Sequence, residues 1–251
     1  MAETVKILSH GKKVLLPDLN AGCSLAESCP RKDFADFKKK YPEHTVISYI
    51  NTTTDIKALT DIICTSSNAL EIVKSLPKDE KIIFTPDKNL GNYVKNIAGK
   101  DMIIWNGSCH VNTEFSFEKI LGIKKKYHTA KIIAHPECEK DVLIIANHIG
   151  STSSLLEFTK KDDANEYIVA TESGILHQMK KKSPHKTFKP APTKDFNCDR
   201  NDCNFIKLNT MGKLYNCLKY ELPEITIKEK IRKKAEIPIE RMLKISEKSG
   251  I

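Results

Sequence analysis

Leu59-Thr-Asp-Ile-Ile-Cys64, then Ser67, then Ala69-Leu-Glu-Ile-Val-Lys-Ser-Leu76 with Pro77 behind it, then Lys81-Ile-Ile-Phe84 before Pro86-Asp87, form the run that decides the fold. The first apolar block reads as a buried strand, Ser67 as a helix N-cap, residues 69–76 as a helix stopped by Pro77, and residues 81–84 as a second strand. The same order returns at Glu166-Tyr-Ile-Val-Ala170, a helix over 174–181 ending near Pro184, and Lys186-Thr-Phe-Lys189 before Pro190. At the start of the chain a helix over 1–8 ends at His10-Gly11, and Lys13-Val-Leu-Leu16 comes next as a short strand up to Pro17. Strand, helix, strand and proline, repeated, is the grammar of βαβ units in a parallel sheet with helices on its faces. The first copy has no strand ahead of its helix, which leaves a sheet edge unpaired.

Outward from these copies, a strand is expected over 45–50 and helices over 33–41, 55–59, 115–125, 136–149, 211–220 and 227–248. The resulting division is a remnant of a first α/β domain at 1–42, a second α/β domain at 43–126, a third at 127–210 and a C-terminal helical segment at 211–251. Pro190-Ala-Pro192 reads as a rigid turn.

The chain has 251 residues, of which 40% are apolar, enough to bury more than one core. No apolar run approaches the ~20 residues of a membrane-spanning helix. The start, Met1-Ala-Glu-Thr-Val-Lys6, lacks the zones of a signal peptide, so a cytoplasmic location is expected. Forty-one basic against 32 acidic residues give a net charge of +9. The lysines are scattered in short runs such as 38–40, 124–126 and 180–182 without interleaved aromatics. That pattern reads as a solvated surface that attracts anionic substrates rather than as a nucleic-acid interface.

Eight cysteines without a secretion signal point to thiols used for metal binding or catalysis rather than to a disulfide framework. Cys23, Cys109 and Cys203 each sit in a loop, one per third of the chain, the last two within Trp105-Asn-Gly-Ser-Cys109-His110 and Cys198-Asp-Arg-Asn-Asp-Cys203. Three thiolates meeting at a centre would bind a metal cluster, since soft sulfur ligands select zinc or iron–sulfur centres. Cys29, Cys64, Cys138 and Cys217 read as buried, inert thiols.

Pro17-Asp-Leu-Asn-Ala-Gly-Cys23-Ser-Leu-Ala26, Trp105-Asn-Gly-Ser-Cys109-His-Val111, Ala134-His-Pro-Glu137, Ala170-Thr-Glu-Ser-Gly-Ile175 and Lys207-Leu-Asn-Thr210 resemble the signatures of the quinolinate synthase family. These are the iron–sulfur transferases of de novo NAD synthesis, and the likeness runs from residue 1 to about residue 225. It implies three pseudo-repeated three-layer α/β/α domains around a central cluster site, the first domain incomplete here. It also implies condensation of iminoaspartate with dihydroxyacetone phosphate to quinolinate, with L-aspartate oxidase as donor of the imine. By the same likeness Cys23, Cys109 and Cys203 hold a 4Fe-4S cluster with one open iron. Cys203 is preferred to Cys198 because Cys-Asn-Phe-Ile-Lys-Leu-Asn matches the residues after the family's ligand. His110, beside Cys109, falls in the layer around the ligands.

His135 and Glu137 come after Lys131-Ile-Ile-Ala134. From spacing alone they read as a helix start with Glu137 complementing the dipole. The resemblance makes His135 the holder of a substrate carboxylate and Glu137 the acid–base group. Tyr49 and Asn51 end a strand with alternate residues on one face, and in the family these positions contact substrate, with Tyr49 among the catalytic groups. Ser66 and Thr152 lie near helix starts, where hydroxyls and backbone amides cap the helix and bind phosphate or carboxylate. The segments 86–93 and 171–174 are assigned to loop geometry. In the family a segment ahead of this sequence's start supplies further substrate contacts, so an N-terminally truncated, impaired enzyme is expected. The competing expectation is a non-catalytic protein that binds zinc through its cysteines and nucleic acid through its basic surface.

Overall fold

Short runs rich in isoleucine and valine become the strands of two parallel sheets. The computed structural model describes residues 1–194 and 201–250, and Cys198 lies outside them. Two compact units are present, one made of Met1–Gly107 with Asn204–Ile251 and the other of Ser108–Cys203. The first unit carries β1 (Thr45–Tyr49), β2 (Ile62–Cys64), β3 (Ile82–Thr85) and β4 (Met102–Ile104) in the order β2-β1-β3-β4. The second carries β5 (Lys131–Ala134), β6 (His148–Ile149), β7 (Glu166–Ala170) and β8 (Thr187–Pro190) in the corresponding order β6-β5-β7-β8. All of these pairings are parallel, so every link between neighbouring strands is a crossover.

Burial on both faces explains why the strands are apolar without alternation. In the second unit Ile132, Ala134, Ile168 and Ala170 face one cluster with Phe115, Ile120 and Val142. The intervening Ile133, Tyr167 and Val169 face another with Leu155, Ile175 and Met179. This period-two division is what sandwiches the sheet between two helical layers. In the first unit Val46 and Ile83 meet Phe34 and Cys29 on one face, with Trp105 packed beside them. On the other face the helix Lys88–Ala98 comes close enough that a Cβ on Gly91 would stand 2.9 Å from both Phe84 and Ile104 side chains. Side-chain oxygens of Thr53, Asp87, Ser116, Ser151 and Thr210 accept from backbone amides and start five of the helices.

The α/β class and the parallel sheets agree with the expectation, and several local details differ. Residues 13–16 form no strand: Leu15 makes a single antiparallel bridge to Glu224. The helix expected over 136–149 is only Lys140–Ile144, because His148–Ile149 pairs with β5 as a strand. The N-cap before Ala69–Ser75 is Asn68 rather than Ser67. The repeat is also phased differently. β2, the helix Ala69–Ser75 and β3 cross over β1, whereas β7, the helix Ile175–Lys182 and β8 join adjacent strands. The counterpart of the first is therefore β6, the helix Thr152–Lys161 and β7, which cross over β5.

Candidate functional site

Parallel strands expose their last backbone groups at one edge, and the turns leaving that edge are where α/β folds carry polar side chains. Tyr49 closes β1, Ser66 follows β2, Cys109 follows β4, His135 and Glu137 follow β5, and Thr152 follows β6. Glu172 follows β7 and the segment ending in Cys203 follows β8. Cys23 is the exception. It leaves no sheet strand and instead N-caps the short helix Ser24–Glu27.

In the first unit the loop to Cys23 is shaped locally. Asp18 Oδ1 accepts from Asn20 N at 2.8 Å, its carbonyl accepts from Ala21 N at 3.0 Å, and Gly22 N donates to Asn20 O at 2.7 Å. A Cβ on Gly22 would meet Glu27 Oε1 at 2.8 Å and stand 3.5 Å from Phe205. Tyr49 is buried, and Asn51 is half-buried in the loop after β1. Ser66 is half-buried in a turn drawn tight by Asn68, whose Oδ1 accepts from Thr65 N and Thr65 Oγ1 at 2.6 and 2.9 Å. Asn68 Nδ2 in turn reaches Ser246 Oγ at 3.0 Å on the C-terminal helix Glu229–Lys248.

In the second unit His135 and Glu137 are not at a helix start as expected; they occupy the turn between β5 and the helix Lys140–Ile144. His135 N donates to Ala170 O at 3.0 Å, and Cys138 N closes the turn on His135 O at 2.9 Å. Both side chains are buried, His135 at 5% and Glu137 at 3% exposure, which shields their chemistry from water. His135 Nδ1 stands 3.5 Å from Glu137 Oε1 and accepts from the Glu137 backbone N–H at 3.4 Å. Burial lowers the His135 pKa below the ordinary imidazole value, and the nearby Glu137 charge opposes that shift. The lowered pKa favours the neutral imidazole, and the Glu137 N–H directed at Nδ1 favours the tautomer that carries its proton on Nε2.

Asn112 was not among the expected residues. Its Nδ2 donates to Glu137 Oε2 at 3.0 Å from inside the core, while its Oδ1 is buried with no hydrogen-bond partner among the described residues. Asn112 lies one turn after Cys109, whose carbonyl accepts from Asn112 N at 3.1 Å. The Cys-x-x-Asn spacing, which sets both on one helix face, was the available signal. Asn201 donates to Val111 O in the same short helix, and its own carbonyl accepts from Ser173 N at 3.3 Å. Glu172 Oε1 accepts from Cys203 N at 3.4 Å. The 171–174 loop therefore does more than shape itself: it braces the backbone that carries Cys203. Thr152 is exposed at the first turn of its helix, behind the Ser151 cap.

Cys23, Cys109 and Cys203 are partly exposed thiols, whereas Cys29, Cys64, Cys138 and Cys217 are buried. Burial pushes the Cys29 thiol up to about 11 and raises that of Cys64 further, which disfavours the thiolate a metal needs. By donor chemistry the three expected cysteines fit a soft-metal centre and Cys29 and Cys64 do not. Among the described residues, no group of three or more His, Cys, Asp or Glu side chains stands together as a metal site.

A family profile described as quinolinate synthetase A protein matches residues 1–244. Three curated relatives bear the name quinolinate synthase. That of Gloeothece citriformis is 55% identical over 98% of this chain and 76% of its own length. That of Chloroherpeton thalassium is 54% identical over the same shares. That of Rippkaea orientalis is 56% identical over 98% of this chain and 75% of its own length.

Proposed function

Since this chain belongs to the quinolinate synthetase A protein family, we propose that it makes quinolinate, the reaction for which its relatives are named. The observation that carries the proposal from family to site is the buried pair His135 and Glu137 at the carboxyl end of β5, with Asn112 donating to the carboxylate. The alternative of a non-catalytic zinc or nucleic-acid protein has no support from the relatives. No helix among the described residues is long and apolar enough to cross a membrane.

The substrates in this reading are iminoaspartate and dihydroxyacetone phosphate, both anionic, joined with loss of phosphate and water. His135, neutral with its proton on Nε2, donates a hydrogen bond to a substrate carboxylate. Glu137 takes and returns the protons that condensation, ring closure and dehydration require, and the Asn112 amide holds its carboxylate in one orientation. Tyr49 and Asn51 offer a phenol and an amide to the substrate's polar groups. Ser66 and Thr152, in turns after β2 and β6, offer hydroxyls to phosphate or carboxylate. Cys23, Cys109 and Cys203 are the proposed ligands of a 4Fe-4S cluster, which when bound supplies an open iron as Lewis acid for a leaving hydroxyl.

Anaerobic purification and assay with both substrates tests the reading. A brown protein that forms quinolinate is expected, with Glu137→Gln lowering kcat by about 10²–10⁴. Replacing Cys23, Cys109 or Cys203 singly by serine should abolish the visible absorption, while Cys64→Ser should keep it. A colourless protein that binds stoichiometric zinc and makes no quinolinate would overturn it.

A further inference from the structure

Lysine is almost never fully buried, because taking an ammonium out of water costs several kcal/mol unless it is hydrogen-bonded. Lys57 is the exception in the first unit: its exposure is 0%. It ends the four-residue helix Thr54–Lys57, directly after the loop that carries Asn51. Its Nζ donates to Ile50 O at 2.9 Å and to Thr52 O, the carbonyls on either side of Asn51. The same loop is pinned at its entry by Ile50 N donating to Cys64 O, and within itself by Thr52 N donating to Ile50 O, both at 2.8 Å. At its exit Glu3 Oε2 accepts from Thr54 N and Thr54 Oγ1 at 2.7 and 2.8 Å.

These contacts leave Asn51 little conformational choice. The ammonium holds the 50–51 and 52–53 peptide groups through their carbonyls, and Thr52 N, bonded to Ile50 O, holds the 51–52 peptide between them, so together these contacts restrict the backbone angles at Asn51 and with them the direction of its side chain. Filling the same volume with an apolar side chain would not cost the desolvation of a charge, so packing alone does not account for a lysine here.

We propose that Lys57 is a positioning residue: it holds the loop between Tyr49 and Thr53 in the one shape that presents Asn51, next to Tyr49, to an anionic ligand. The ligand half of this inference rests on the quinolinate reading; the loop half stands on geometry alone. Lys57 itself touches no substrate and acts through the two carbonyls.

Hydrogen exchange and ligand binding on the full chain separate the two halves. Lys57→Met should speed amide exchange in the segment 50–53 about tenfold, with exchange in β1, β3 and the second unit unchanged, as loss of roughly 1.4 kcal/mol of local restraint requires. It should also weaken quinolinate binding, read by calorimetry, about tenfold, and Asn51→Ala should cost much less in the Lys57→Met background than in the parent. Lys57→Gln, whose amide reaches one carbonyl, should recover part of both effects, and it carries the test if Lys57→Met does not fold. A folded variant whose 50–53 exchange matches the parent overturns the proposal, as does a fall in melting temperature with affinity per folded molecule unchanged. If the parent itself binds no quinolinate while the loop loosens in Lys57→Met, the brace is upheld and the functional reading falls.

Discussion

At Glu137 a carboxylate buried to 3% exposure receives a hydrogen bond from Asn112 and sits against a neutral imidazole. Removing the Asn112 donor leaves the carboxylate less well held, so Asn112→Leu is expected to lower kcat about tenfold or more while the melting temperature moves little. Steady-state kinetics and thermal unfolding on the same preparation check it. His135 makes a separate prediction. Its folded pKa lies below the unfolded value of about 6.5, so the unfolded chain takes up the proton first as pH falls. Stability is therefore fully present above about pH 6.5 and declines as the pH drops through the lower folded value. His135→Gln should flatten the dependence of the urea midpoint on pH as the pH falls below about 6.5. The motifs around Cys23, Cys109, Cys203, His135 and Glu137 stand out in the sequence because each is a few residues long, and the roles proposed for these side chains rest on the family likeness. Asn112, Asn201 and Lys57 do not stand out, because their partners lie on other segments or in backbone carbonyls that composition does not mark.

Strands and helices were legible where one pattern acts alone. Ile83, Tyr167 and Ile168 sit in apolar runs that read as core, and all are fully buried. The prediction of a helix over 136–149 failed because Ile133 pairs with His148, and such a ladder contact overrides local propensity. Close packing at Gly91 is testable. A side chain there would push into Phe84 and Ile104, so Gly91→Val should lower stability by about 1–3 kcal/mol, measured by denaturant unfolding. Arg232 ties the helix Glu229–Lys248 to the start of the chain, donating to Ile7 O at 3.2 Å and to Glu229 and Glu236. Arg232→Met should cost about 1–3 kcal/mol in the same unfolding measurement, as the Ile7 carbonyl loses its donor inside the core.

For the molecule as a whole, a net charge of +9 favours the approach of anions over distances that salt shortens to about 8 Å at physiological ionic strength. In the quinolinate reading, KM for the anionic substrates should rise as salt is raised from low concentration while kcat stays level, and an unchanged KM would remove the role given to the surface charge. The parallel α/β class and the family were both determined by the sequence itself. Apolar runs, helix stops and short cysteine and histidine motifs are local patterns, and each acts before the chain has packed. Which strand lies between which was decided only by the tertiary structure: β1 sits between β2 and β3, and β5 between β6 and β7. So were the grip of Lys57 on the Asn51 loop and the bond from Asn112 to Glu137, because crossovers bring residues together through the burial of whole faces, and no neighbouring stretch of chain encodes that meeting.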